Sequence, residues 1–232
     1  MNLELLDNPV WSALNTHQKH FAVGNSLAKH FPNDVLWFGG MADKTSKALD
    51  AMTELLISSQ KTVAWMTGEK LEIPKTLTLI AEREVSQMIC ETAFPVPNIN
   101  MHKLSSDNLP AMLELVELTK PGPFARRSIE LGQFWGMSIN GSLVAMTGER
   151  IRLPGFTEVS SVCTHPDFRG RGFASALIAK VCEGIFAKGE IPFLNVLTSN
   201  SGARQVYEKL GFFERKEMFV TVLRAQPSEV IS

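Results

Sequence analysis

The chain has 232 residues, of which 44% are hydrophobic and 20% are charged, and its formal net charge is −1 at pH 7. This composition is typical of a folded globular protein and excludes disordered and fibrous classes. The balanced charge, with no basic block, argues against a nucleic-acid partner, and no apolar run approaches the ~18 residues of a membrane span.

The first part of the chain predicts a small N-terminal α/β domain over residues 1–97. Asn8-Pro9 is a helix start, and we expect that helix to continue to about Lys29. Pro95 and Pro97 cannot continue a helix, so we place a domain boundary at residue 97. The other elements predicted here are strands at 35–38 and 62–66 and helices at 45–57 and 82–92.

One internal similarity links the two parts of the chain. The segment MTGEKLEIP at Met66–Pro74 resembles MTGERIRLP at Met146–Pro154, and each follows a short apolar strand. One interpretation is that the N-terminal domain is a degenerate copy of the half-fold that follows it. The alternative is chance similarity between two strand-turn segments.

The second domain is predicted over residues 98–232. Asn140-Gly141 is a strong signal for a tight hairpin between two strand-like segments, 133–139 and 142–153. A central strand then runs from Thr157 until Pro166, which cannot donate to a sheet, ends it. The remaining predicted elements are a strand at 99–104, helices at 105–118, 125–131 and beyond Gly172, and a strand at 193–197.

The turn after the central strand carries the first chemical signal, Arg169-Gly170-Arg171-Gly172. A loop that joins a strand directly to a helix points its backbone N–H groups outward at the positive end of the helix dipole. Glycines let such a backbone approach a phosphate closely. The segment therefore predicts a diphosphate site, and a tight turn without a ligand is the alternative.

A second helix opens at Asn200, carries Ala203 and Tyr207, and ends at Gly211-Phe212. Arg169-x-x-Gly172-x-Ala174 resembles the Q/R-x-x-G-x-G/A loop of the GNAT superfamily of acetyl-CoA-dependent N-acetyltransferases. The second helix resembles the family's N-x-x-A-x-x-x-Y-x-K-x-G-F ending, and the two motifs follow in the family's order. The resemblance covers roughly residues 98–224. It implies an α/β (α+β) fold with a mixed, mostly antiparallel central sheet flanked by helices, preceded here by the smaller α/β domain.

The same resemblance implies that acetyl-CoA is bound as cosubstrate. The backbones of Val162 and Thr164 would pair with the pantetheine arm, and the Val162 N–H would donate to the thioester carbonyl. This requires the central strand to diverge from its neighbour. The cofactor-binding residues implied are Val162, Cys163, Thr164, Arg169, Gly170, Arg171, Gly172, Phe173, Ala174, Asn200, Ala203 and Tyr207.

Two catalytic residues are predicted. Tyr207 matches the tyrosine that the family keeps beside the sulfur, and its phenol can protonate the departing thiolate. Glu158 matches the glutamate that histone-type members use as base, whereas many members use a chain of water molecules instead. The alternative for Glu158 is a solvated charge at the end of the strand. Glu149, on the neighbouring strand in a segment that resembles an edge or bulge, is the substitute candidate for the base.

We expect structural roles for two further residues near the loop, and we consider which residues select the acceptor. We expect Cys163 to be inert packing rather than a nucleophile, and His165 to cap the end of the strand. Acceptor specificity should come from Pro121–Glu130 and from the strands around Trp135 and Arg150. Arg126 and Arg127 suggest a carboxylate-bearing acceptor, or simply face solvent.

The compartment follows from the cysteines and the amino terminus. Cys90, Cys163 and Cys182 are odd in number and scattered, which favours reduced thiols over disulfides or a zinc site. The opening residues MNLELLDNPVW do not resemble a secretory signal. We expect a cytoplasmic protein without a bound metal.

The sequence therefore predicts an N-acetyltransferase that moves acetyl from acetyl-CoA directly to a primary amine of a small molecule, amino acid or peptide. A non-catalytic acyl-CoA-binding module is the alternative, and an enzyme for longer acyl chains lies between the two. The sequence leaves open whether the chain is a monomer or a homodimer.

Overall fold

A computed structural model describes residues 2–226, which form one eleven-stranded sheet with five α-helices. The helices are α1 (Pro9–Asn15), α2 (Ser46–Ser59), α3 (Leu109–Thr119), α4 (Phe173–Phe186) and α5 (Ser201–Lys209). The strands are β1 (Val23–Gly24), β2 (Ala28–His30), β3 (Phe38–Met41), β4 (Thr62–Thr67), β5 (Leu77–Ile89), β6 (His102–Leu104), β7 (Phe134–Ile139), β8 (Ser142–Leu153), β9 (Phe156–Thr164), β10 (Ile191–Leu197) and β11 (Phe213–Ala225).

The sheet has the order β1-β2-β3-β4-β11-β5-β10-β9-β8-β7-β6. Two pairs, β3 with β4 and β9 with β10, are parallel, and the other described pairs are antiparallel. Each parallel pair is joined through a helix, α2 in the first and α4 in the second. The mixed, mostly antiparallel sheet flanked by helices is thus confirmed.

Strands from the two predicted domains alternate at the centre of this sheet. β5 lies between β11 and β10, whereas β11 lies between β4 and β5. The last strand before residue 97, β5, thus pairs with two strands from after it, and the last strand after residue 97, β11, pairs with two strands from before it. The boundary at residue 97 stays a prediction, and the segment between β5 and β6 that contains it has no strand or helix.

The long helix predicted from Asn8 is wrong, because α1 ends at Asn15 and the chain continues into β1 and β2. Side chains terminate the helix by binding carbonyl groups of its last turns. Asn15 donates to the Trp11 carbonyl at 2.7 Å, and Thr16 donates to the Ser12 carbonyl at 2.6 Å. Short polar side chains of this kind compete with continued helix.

The helix predicted at 82–92 is also wrong, since these residues belong mostly to β5. Glu82, Arg83 and Glu84 favour helix as isolated residues, but β5 bonds to β11 along its whole length and to β10 along its second half. Tertiary pairing therefore overrides local propensity.

The strand predicted at 35–38 lies slightly later, at β3. A Cβ on Gly40 of this strand would lie 2.5 Å from the Trp11 backbone nitrogen. Glycine is needed there because α1 crosses so closely.

The elements around the two motifs agree with prediction. α2, α3, α4, α5, β4, β10 and the β7–β8 hairpin all form, and Asn140 and Gly141 take the left-handed φ values of 51° and 82° that a tight hairpin needs. The predicted helix at 125–131 is only a 3-10 turn, Ser128–Leu131.

The largest apolar core joins residues from both parts of the chain. It contains Leu14 of α1 and Phe31 from the first part together with Phe156 of β9 and Phe193 of β10. The segment before β3 also bonds directly to the 3-10 turn, because Ser128 donates its hydroxyl to the Val35 carbonyl at 2.7 Å. The first part of the chain therefore covers one face of the second.

The two similar MTGE segments occupy different places in this fold. Met66 lies near the end of β4, which is parallel to β3, and the residues from Gly68 to Pro74 lie outside any strand. Met146 to Leu153 lie inside β8, which is antiparallel to both of its neighbours. The interpretation of the first part as a degenerate copy stays a prediction, and these segments do not support it.

Two negative findings apply to residues 2–226. None of the helices there combines the length and apolar character needed to cross a membrane. No three histidine, cysteine, aspartate or glutamate side chains in that range come together as a metal-binding group.

Candidate active site

The parallel strands β9 and β10 separate partway along their length. They pair at Phe156 with Ile191, Thr157 with Pro192 and Glu158 with Phe193, and no later pair between them occurs in the described chain. Beyond Glu158, backbone groups of β9 are therefore free on the β10 side. This is the divergence that the predicted binding of a pantetheine arm requires.

A β-bulge lies within the divergent part of β9. Cys163 pairs with Met146 and Ser160 pairs with Gly148, so Ser161 and Val162 together oppose the single residue Thr147. Ser161 has φ of 54°, a left-handed value that is uncommon outside glycine. Bulges of this kind re-aim the following residues, here Val162 and Thr164.

The loop after β9 is exposed and glycine-rich. His165, expected to cap the end of the strand, caps instead the 3-10 turn that follows, Pro166–Phe168, by accepting a hydrogen bond from the Asp167 N–H at 3.2 Å. Gly170 and Gly172 take φ values of 75° and 77°, and open space surrounds both. α4 begins directly after Gly172 and has no side-chain cap on its first N–H groups.

Charged and unsatisfied groups in this region fit a diphosphate with an attached chain. Arg169 is exposed, and Arg171 lies over the Phe168 ring at 4.9 Å, so both guanidinium groups border the loop. Phe173 and Ala174 are half-buried in the first turn of α4. At the end of β9, the Thr164 hydroxyl is buried without a hydrogen-bond partner. An unsatisfied buried hydroxyl beside a diverging strand fits a ligand that brings the missing partner.

Tyr207 lies beside the divergent strands. Its half-buried ring packs against a cluster that includes Val159 of β9 and Val196 of β10, and it meets Phe212 edge-on at 6.1 Å. Burial, with a smaller effect of the nearby Cys163 sulfur, raises the pKa of Tyr207 to about 12. The phenol therefore keeps its proton at neutral pH and can donate it.

The structure places Asn200 and Ala203 in a capping role. Asn200 accepts a hydrogen bond from the Ala203 N–H at 3.1 Å and so begins α5, the helix that carries Tyr207.

Cys163 is buried, and burial raises the pKa of its thiol to about 11. A protonated, buried thiol is a poor nucleophile, in agreement with the inert role expected for it.

Glu158 lies in a buried ion pair. Its side chain is fully buried, and Arg150 donates to both carboxylate oxygens, Nε to Oε2 at 2.8 Å and Nη2 to Oε1 at 2.7 Å. Asn195 of β10 donates a third hydrogen bond, to Oε1 at 2.8 Å. The alternative of a solvated charge at the strand end is therefore wrong, because Glu158 is fully buried. Its role as base stays a prediction, and the three hydrogen bonds give it a structural role that the sequence did not predict.

Glu149 is likewise engaged. It is buried, accepts from Lys188 Nζ at 2.6 Å and lies 3.9 Å from Arg152 Nε. Each oxygen of both predicted carboxylates therefore already has a hydrogen-bond partner. The alternative of a chain of water molecules in place of a carboxylate base stays a prediction.

Some of the residues predicted to select the acceptor are held by contacts within the chain, and others are exposed. Phe124 is half-buried against Phe134, and Arg127 is bound by Glu130 and by Asp34 from the first part of the chain. Arg126 is exposed. The region is therefore shaped partly by residues 34–38, which no motif in the sequence links to the acceptor region.

Asn195 is a further residue that sequence reasoning missed. Its amide nitrogen is fixed by Glu158, and its buried Oδ1 has no hydrogen-bond partner. Asn195 lies two residues beyond the last β9–β10 pair, on the divergent part of β10. The signal available was a single amide within the otherwise apolar run PFLNVL.

Comparison with known proteins gives one family match and several relatives. The model of the family described as FR47-like protein matches residues 136–220. An acetyltransferase of Yersinia enterocolitica is 46% identical over 50 residues, which are 21% of this chain and 35% of the relative. An uncharacterized N-acetyltransferase of Methanocaldococcus jannaschii is 42% identical over 60 residues, 25% of this chain and 26% of the relative. These matches therefore span about a third or less of each relative's length.

A solved structure is similar over nearly the whole chain. The crystal structure of a protein from Novosphingobium aromaticivorans, assigned to the GNAT family of acetyltransferases, is 35% identical with a TM-score of 0.88. The match covers 96% of this chain and 99% of that one. A GCN5-related N-acetyltransferase from Kribbella flavida, 16% identical with a TM-score of 0.59 over 90% of each chain, shares the fold.

Proposed function

Since this chain belongs to the GNAT family of acetyltransferases, we propose that it transfers the acetyl group of acetyl-CoA directly to a primary amine. The observation that carries the proposal is the separation of β9 from β10 after Glu158, with a bulge at Ser161 and an exposed glycine loop immediately beyond. When bound, acetyl-CoA supplies an acetyl thioester. Residues of the chain itself bind the cosubstrate, stabilise the carbonyl oxygen and supply the proton.

Binding is assigned to the diverging strand and the loop. The backbone of Val162 and Thr164 faces the gap as an unpaired strand edge would, which suits an extended amide-containing arm. The first N–H groups of α4 and the side chains of Arg169 and Arg171 suit a diphosphate. The Val162 N–H is the proposed donor to the carbonyl oxygen, where negative charge develops during transfer.

Proton transfer is assigned to Tyr207. Its raised pKa, about 12, keeps the phenol protonated throughout the neutral range. Its packing against the apolar cluster that includes Val159 of β9 and Val196 of β10 supports a position beside the gap, into which the thioester sulfur would extend. Tyr207 would thus hold the proton that a departing thiolate needs.

The experiment compares two charge-adding glycine variants. Gly172→Glu places a carboxylate at the proposed diphosphate site, and Gly189→Glu is the matched control. Both glycines have left-handed φ values, 77° and 72°, and open surroundings, but Gly189 lies beyond the other end of α4. The backbone strain and the added charge are thus similar.

We expect calorimetry to show at least a hundredfold weaker coenzyme A binding for Gly172→Glu and nearly unchanged binding for Gly189→Glu. Equal binding by both variants would refute the placement of the diphosphate. Thiol release with a panel of primary amines then tests turnover. Binding without turnover on any amine would favour the non-catalytic module, and faster turnover with longer acyl thioesters would favour the intermediate possibility.

A further inference from the structure

Asn195 lies where β9 and β10 begin to separate. The last pair between these strands joins Glu158 with Phe193, and Asn195 is two residues further along β10. On its other side β10 stays in register, because Asn195 pairs with Gln87 of β5. The backbone at Asn195 is therefore held by β5 on one side and borders the gap between β9 and β10 on the other.

Contact with Glu158 determines the orientation of the Asn195 amide. Within its ion pair with Arg150, the Glu158 carboxylate accepts hydrogen bonds and has none to donate. The group of Asn195 that faces it at 2.8 Å must therefore be the amide nitrogen. The amide oxygen, Oδ1, takes the other position, and turning the amide round would set two acceptors against each other.

The amide oxygen of Asn195 lacks a donor. It is buried and has no hydrogen-bond partner within residues 2–226. Gln87, which lies beside it on β5, is already engaged: its Nε2 donates to the Leu6 carbonyl at 2.9 Å, and its Oε1 accepts from Arg215 at 2.8 Å. Buried acceptors are rarely left without a donor in folded proteins. An unpaired acceptor beside the candidate active site fits a ligand that brings an N–H group.

Asn195 and Tyr207 lie on opposite faces of the sheet at this gap. Side chains alternate along a strand, so Asn195 shares a face with Phe193, which belongs to the core formed with the first part of the chain. Val196, the next residue of β10, packs on the other face in the cluster that contains Tyr207. The proposed proton donor therefore approaches the gap from one face, and Oδ1 borders it from the other.

The proposed reaction includes one reacting group with N–H bonds, the acceptor amine, because a thioester presents only its carbonyl oxygen and its sulfur. The amine must direct its lone pair at the thioester carbon, so its N–H bonds need acceptors elsewhere. We propose that Asn195 Oδ1 accepts a hydrogen bond from the acceptor amine and so directs this lone pair, while Glu158 and Arg150 hold the amide in the required orientation. This inference rests on the proposed function and adds a residue that contacts the acceptor.

Asn195 orients the amine without taking its proton. The new bond joins the amine nitrogen to the acetyl carbon, and the carbon–sulfur bond breaks. The departing thiolate takes a proton from Tyr207, the amine gives up one proton to the solvent, and the solvent returns a proton to the Tyr207 phenolate. An amide oxygen is too weak a base to accept the proton itself.

The first test is Asn195→Leu, which keeps the branched shape of the side chain but removes both polar atoms. For the primary amine that gives the fastest thiol release, we expect kcat/KM to fall about 30-fold, the order of one lost hydrogen bond. Coenzyme A affinity, measured by calorimetry, should be nearly unchanged. Equal kcat/KM would overturn the inference. A large loss of coenzyme A affinity would also overturn it, because the donor would then be an amide of the pantetheine arm.

Repeating the replacement without Glu158 tests for a purely structural role. The double variant Arg150→Met with Glu158→Leu has no carboxylate for the Asn195 amide to support. If Oδ1 contacts the amine, adding Asn195→Leu should lower kcat/KM by about a further tenfold, less than in the parent because the unsupported amide can turn round. If Asn195 only supports Glu158, the addition should change nothing, and that result would overturn the inference.

If the double variant does not fold or does not turn over, the unaltered chain decides the question. The ¹³C NMR signal of the Asn195 side-chain carbonyl can be assigned from its loss in Asn195→Leu. Adding the amine to the complex with coenzyme A should shift this signal, whereas the same compound with a methyl group in place of the amino group should not. Equal shifts, or none, would count against the contact.

The outcomes separate this inference from the proposed function. An unaltered chain that turns over no amine would overturn the proposed function itself. Turnover that does not depend on Asn195 would overturn only the role of Asn195.

Discussion

The replacement Glu158→Gln distinguishes a catalytic carboxylate from a structural one. Glu158 is fully buried and accepts three hydrogen bonds, two from Arg150 and one from Asn195. Glutamine keeps the shape but leaves the Arg150 charge, whose side chain is only 10% exposed, without its partner. Breaking a buried ion pair by removing one partner costs ~3–5 kcal/mol.

We expect a loss near the lower end of this range, because the Arg150 guanidinium also lies over the Phe38 ring at 5.1 Å and glutamine can still accept one hydrogen bond. A loss of about 3 kcal/mol corresponds to a Tm lower by ~6–12 °C in a chain of this size. Thermal unfolding followed by circular dichroism measures this directly. The pH profile of kcat/KM, measured below the new Tm, should keep its shape.

The double replacement Arg150→Met with Glu158→Leu is the control. Removing both charges of a buried pair is often close to neutral. The Asn195 amide then loses its acceptor, which costs ~1–3 kcal/mol. The double variant should therefore be at least as stable as Glu158→Gln. A Glu158→Gln protein that keeps its Tm but loses the acidic limb of its pH profile would refute this reasoning and restore Glu158 as the base.

Two further predictions concern other titrating groups. Tyr207→Phe should lower kcat ~10²-fold or more with little change in coenzyme A affinity, because it removes only the proposed proton donor; equal kcat in a thiol-release assay would exclude that role. For Asp7, burial opposes ionisation, but hydrogen bonds and charge from Arg215 and Lys216 outweigh it and lower the pKa. This contribution to stability is complete above the unfolded pKa of ~3.9 and is lost as the pH falls through the lower folded pKa. Asp7→Asn should therefore be less stable than the parent in urea at pH 7 and approach it near pH 3, and a constant difference would contradict the prediction.

The sequence was most informative where local chemistry decides the structure. The Asn140-Gly141 hairpin and the helix cap at Asn200 each require a particular backbone geometry, and both form as predicted. The sequence was misleading where contacts between distant residues determine the secondary structure. β5 was predicted as helix because its polar residues favour helix, and only pairing with β10 and β11 makes it a strand.

The same distinction applies to the candidate site. The loop and Tyr207 could be proposed from motifs, because their chemistry needs specific residues at fixed spacing, and their roles stay predictions. The pairing of Glu158 with Arg150 could not, since it depends on a bulge that places Arg150 and Ile151 of β8 opposite Glu158 of β9. Register shifts of this kind leave no signature in a single sequence.

The placement of β11 between β4 and β5 has a consequence for biosynthesis. During translation β4 and β5 leave the ribosome long before residues 213–225, so the edges that pair with β11 stay unpaired until those residues have been synthesised. Exposed strand edges of this kind readily pair with other chains. A nascent polypeptide stalled before Phe213 should therefore be prone to aggregate, and its amino-terminal part cannot finish folding on its own.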